Sequence, residues 1–132
     1  MPTDCRYGFG TRIEIGFDDA ISRIESLLKD HGFGVYSRIN MKDVFGPEQD
    51  LPFRHYLIIG ACRPDFAIHA FRADHNVGLL LPCNIVVYEE LSGQVVVMVK
   101  DPVHMMDLLN VPDAIEAAIK VKAQLEELMA EL

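Results

Sequence analysis

Two stretches set a cysteine beside a proline at the end of an apolar run: GACRPDF at residues 60–66 and GLLLPCNIVVYEE at residues 78–90. Thiols that meet in space make a redox pair or a soft-metal site; thiols that do not meet are small buried hydrophobes. Cys62 sits where an apolar strand gives way to a helix. A helix N-terminus presents N–H donors and partial positive charge, which lowers a thiol pKa, and Arg63 adds a cation beside it. Cys83 follows Pro82, which removes a backbone donor and restrains Leu81 to extended geometry. Such a position suits the wall of a cavity or an interface. Both the reactive and the inert readings of the thiols stand at this point.

Other chemistry finds less support. The two cysteines lie 21 positions apart, with no CxxC and no zinc-ligand spacing. A soft ion would need Cys62, Cys83, His104 and Met105 assembled in space, and HMM reads more simply as core filler. Glu89 and Glu90 are adjacent on a strand, so they point to opposite faces and cannot share a cleft as paired catalytic carboxylates. The sequence contains no GxSxG, GxxxxGK[ST] or GxGxxG. No catalytic constellation, cofactor motif or metal motif is legible.

Elements must position these residues. TRIEIGF alternates through Ile13 and Ile15 as a first strand, and Asp18 or Asp19 then caps a helix with an Ile21, Ile24, Leu27, Leu28 stripe, ended by Gly32. GVYSRIN is a second strand with Val35 and Ile39 inward. MKDVF is a short helix broken by Gly46 and Pro47, followed by a loop that could serve as a lid. HYLIIGAC reads as a strand buried on both faces. Pro64 stops it, and Asp65 opens a helix from about Phe66 to Ala73. LPCNIVVYEE and QVVVMVK form a hairpin through Ser92-Gly93. Asp101 caps a helix with Pro102 in its first turn. A last helix begins near Pro112, with Ala118, Val121, Leu125, Leu128 and Leu132 as its spine. The expected fold is α+β: one domain over residues 1–132, a mixed sheet of about five strands, and helices mainly on one face.

Composition narrows the function classes. The chain has 132 residues, 50% of them apolar, which suffices for one core. A net charge of -8 argues against nonspecific nucleic-acid binding. The apolar runs fall short of the roughly 20 residues of a membrane span, and the N-terminal residues lack a signal pattern. Three cysteines argue against a disulfide scaffold. A soluble cytoplasmic protein is expected.

GAC-x-P at residues 60–64, GLLLPCN-x-VVYE at 78–89 and Asp101-Pro102, set within the wider pattern from Tyr7 to the last helix, resemble the domain of unknown function 302 family. The resemblance implies a compact α+β domain that tends to be dimeric, with no established reaction. Its motifs fall on Cys62, Pro64, Pro82, Cys83 and Asn84, which with Arg63 make the candidate ligand-binding set. The expected function is a non-enzymatic homodimeric domain that binds a small ligand or a partner. The alternatives are a thiol redox or sulfur-transfer protein using Cys62 with Cys83, and soft-metal binding.

Overall fold

The computed structural model describes residues 2–132, with side chains from Asp4 onward. Its strands are β1 (Pro2–Cys5), β2 (Gly8–Ile13), β3 (Gly34–Asn40), β4 (Phe53–Cys62), β5 (Cys83–Glu90) and β6 (Val95–Lys100). Its helices are α1 (Phe17–Asp30), α2 (Met41–Phe45), α3 (Pro64–Ala73), α4 (Pro102–Met106) and α5 (Pro112–Ala130). Short 3₁₀ turns cover His75–Leu80 and Asp107–Leu109.

The strands form one sheet in the order β1-β2-β6-β5-β4-β3, and every neighbouring pair is antiparallel. The α+β class is as expected, but the sheet has six strands rather than five and is not mixed. The additional strand, PTDC, is too short and polar to carry an apolar period; it forms by pairing back on β2, with Cys5 facing Gly8. The sheet is antiparallel throughout because α3 and its 3₁₀ turn return the chain to the end of the sheet it left, so β5 runs back along β4.

Local chemistry accounts for the element boundaries. The β5–β6 hairpin turns at Gly93, whose φ of 93° is open to glycine at no steric cost. Gly32 ends α1 with φ 84°, and the amide of Phe33 donates back to Leu28 O. The start of α1 differs from expectation. Gly16 is its cap residue, and Asp18 and Asp19 lie inside the first turn, where they favour the helix dipole without capping it.

The core lies on one face of the sheet. Ala20, Ile24 and Leu28 of α1 and Leu125, Leu128 and Met129 of α5 pack on Ile59, Ile85, Val87, Val97 and Val99. A smaller cluster of Ala70, Val77, Met106, Ala114 and Ala118 joins α3, α4 and α5. The opposite face carries Tyr56 stacked on Tyr88, with ring centroids 5.4 Å apart, and half-buried Ile58, Val86 and Met98. β4 is therefore not buried on both faces: full burial is confined to Ile59, Gly60 and Ala61. Ile39 also departs from expectation and is exposed, because β3 lies at the edge of the sheet and Ile39 pairs with Ile58 on its open face. Ile15, beyond the end of β2, is exposed as well. Among the described residues no helix is long and apolar enough to cross a membrane.

Asp101 ties the helical layer together. Its carboxylate accepts from the amides of Val103 and His104 at the start of α4, and from Lys122 Nζ of α5 at 2.9 Å. Burial opposes the charge, but the Lys122 ammonium and the two amides outweigh it, so the carboxyl pKa is lowered. A lowered pKa stabilises the fold above the unfolded carboxyl pKa, and the contribution is lost as pH falls through the folded value. Asp101→Ala is expected to cost about 1 kcal/mol at neutral pH, as for loss of a cap. The gap from wild type should shrink toward acid, as urea unfolding at a series of pH values would show.

Candidate functional site

The two cysteine stretches meet because β4 and β5 are neighbours. Ala61 lies opposite Cys83, and Gly60 opposite Asn84. Gly60 makes that crossing possible: a Cβ there would run into Ser37 Oγ and stand 2.9 Å from Pro82 Cγ. The glycine of the first stretch thus leaves room for the proline of the second, which directly precedes β5, after a cis Leu81–Pro82 peptide bond.

Beside this crossing is an apolar cavity of about 60 Å³. Cys62, Cys83 and Phe33 contribute to its sheet side, Phe66 and Ala70 come from α3, and Ala114 and Ala118 from α5. Small residues on the facing helices keep the space open; a larger side chain at any of them would fill it. Arg63 is the one charged residue on the wall.

Of the six candidate residues, Cys62, Arg63 and Cys83 line the cavity, and Pro64, Pro82 and Asn84 do not. Pro64 is exposed at the first turn of α3. Pro82 packs on Gly60. Asn84 is exposed on the opposite side of the strand from Cys83, as strand alternation requires.

Of the two readings of Cys62, its surroundings favour the inert one. Burial and the Asp65 carboxylate raise its pKa. Arg63 is the residue before the first turn of α3, and its guanidinium is engaged elsewhere: with Asp65 at 3.1 Å, His31 O at 3.2 Å and Gln124 Oε1, while it lies over the Phe66 ring at 4.6 Å. It clasps the ends of α1 and α3 to α5 instead of holding a thiolate. Cys83 is still less acidic. Burial pushes its thiol up to about 12, and Sγ donates to Lys100 O at 3.7 Å. All three thiols are free. Among the described residues no three His, Cys, Asp or Glu side chains gather as a metal-binding group.

Lys100 was not legible as a site residue, since a strand-end lysine ordinarily reads as solvated. Its ammonium donates to Leu80 O at 2.7 Å and Pro82 O at 2.9 Å, strapping the second cysteine stretch to β6. Burial lowers its pKa. Leu81, between those two carbonyls, is part of the cavity wall.

The class of protein this defines is an α+β domain whose helical layer covers one face of an antiparallel sheet. The chain belongs to the family described as domain of unknown function DUF302, whose model matches residues 9–132. The crystal structure of an uncharacterized conserved DUF302 protein from Bacillus stearothermophilus is similar to it, with a TM-score of 0.85 at 24% identity over 96% of this chain and 98% of that one. No curated protein matches the sequence.

The thiol environments predict an order of alkylation. With iodoacetamide at pH 8, exposed Cys5 should react first and half-buried Cys62 more slowly, while Cys83 should react only as the protein unfolds. Mass spectrometry of timed samples reads this directly; fast labelling of Cys62 would restore the activated-thiol reading.

Proposed function

We propose that the protein is a non-enzymatic, homodimeric binding domain, and that its ligand is a small molecule whose apolar end occupies the cavity where the two cysteine stretches meet. The observation that carries this reading is convergence. Residues from two separated motifs, three helices and two strands enclose one apolar space. Nothing on its wall resembles a catalytic pair: burial raises the pKa of both thiols, and the single guanidinium is tied up in the fold.

The size of the space limits the ligand. A cavity of about 150 Å³ admits benzene, so about 60 Å³ admits an apolar tip of about three carbons. Such a tip gains roughly 0.8 kcal/mol for each buried CH₂. The rest of the ligand would lie outside the cavity.

A thermal-shift series with short-chain alcohols, amides and carboxylates tests the reading. A ligand selective for the folded state raises Tm in a concentration-dependent way. At least one short-chain probe is expected to do so, and Ala118→Leu should abolish the shift by filling the cavity. A series without any stabilising probe, or one whose shifts survive Ala118→Leu, would overturn the reading.

A further inference from the structure

The cavity has room only for the tip of a ligand, so the surface at its margin decides what the rest must be. Two residues of the cavity wall, Phe66 of α3 and Ala117 of α5, also line a groove of about 290 Å³. The other residues of that groove are all ionisable: His69 from α3, and Asp113, Glu116 and Lys120 from α5. Asp113, Glu116, Ala117 and Lys120 recur at helical spacing, so they share one face of α5.

The fold does not use these charges. Among the described residues no ion pair or side-chain hydrogen bond engages any of the four. Glu116 and Lys120 stand at the spacing of a helical ion pair and still do not form one. Arg63 differs: its guanidinium is engaged by Asp65, His31 O and Gln124. The free charges beside the cavity are therefore those of the groove.

Their signs limit the head group. A plain carboxylate would meet Lys120 but also two carboxylates. A plain amine would meet those carboxylates but also an ammonium. A head with both charges meets each with its opposite. Asp113 and Glu116 can flank its ammonium, and Lys120, one turn further along α5, can receive its carboxylate, with His69 as a second donor. The cavity sets the other end at about three carbons, the size of the isopropyl group of valine.

We propose that the groove between α3 and α5 holds the head of the ligand, and that the ligand is a zwitterionic amino acid with a short branched aliphatic side chain. The inference rests on the cavity reading above and names its ligand class.

Titration of the full chain with L-valine, isobutanol, isobutylamine and isovalerate, followed by the amide NMR shifts of Ala114, Ala117 and Ala118, tests it. All four probes end in the same isopropyl group and differ only in the head. Valine is expected to bind about fivefold tighter than isobutanol, as for two exposed ion pairs. Isobutylamine and isovalerate should bind no tighter than isobutanol. Glu116→Gln with Lys120→Gln, both exposed, should remove the advantage of valine and leave isobutanol binding unchanged, which also shows that the variant is folded. Isobutanol that binds as tightly as valine, or valine binding that survives the paired substitution, would overturn the ligand class and leave the cavity reading standing. Amides that respond to none of the four probes would overturn the cavity reading as well.

Discussion

The antiparallel register of β4 on β5 is the constraint on which the site depends. It places Ala61 opposite Cys83 and Gly60 opposite Asn84. A slip of one residue would exchange the faces of the strand, sending Cys83 to the open side and Asn84 into the core. Gly60 guards that register, because Pro82 and Ser37 occupy the space a side chain would need. The Gly, Cys and Pro positions of the two motifs are therefore complementary pieces of one strand crossing, not the same device used twice.

Polar groups around the crossing stabilise the architecture more than they offer chemistry. Lys100 straps the carbonyls of Leu80 and Pro82, Arg63 clasps three helices, and Asp101 joins α4 to α5 through Lys122. Each charge is met by hydrogen bonds, as half-buried charges must be. Of the three, only Arg63 reaches the wall of the apolar space they frame. Low-dielectric surroundings also explain why both cavity thiols resist ionisation: burial favours the neutral form, and no cation is directed at either sulfur strongly enough to reverse it.

Elements governed by short-range signals were legible in the sequence. The Ser92-Gly93 turn, the Asp101 cap and the α5 spine follow from turn, capping and periodicity rules that involve neighbours a few residues apart. The location of the candidate site was legible from its Gly, Pro and Cys punctuation, and three of the six candidate residues do line one cavity. Long-range features were not legible. The pairing of PTDC, the edge position of β3 and the strap from Lys100 depend on partners that no local pattern names. The choice between a reactive and an inert Cys62 stayed open in the sequence for the same reason: a helix start and a neighbouring arginine are local facts, whereas burial and the direction of that arginine are tertiary ones. Ala118 reads in the sequence only as part of the α5 spine, and the cavity arises from how little of it the small residues on its wall fill.

If a ligand enters the apolar cavity between the two cysteine motifs, a small apolar probe must enter it too. Diffraction from crystals of the protein under xenon pressure tests it most directly, because xenon enters apolar cavities by dispersion alone. A xenon peak is expected among Phe66, Ala70, Cys83 and Ala118, and it should disappear in Ala118→Leu. Crystals that take up xenon elsewhere and show no peak there would contradict it.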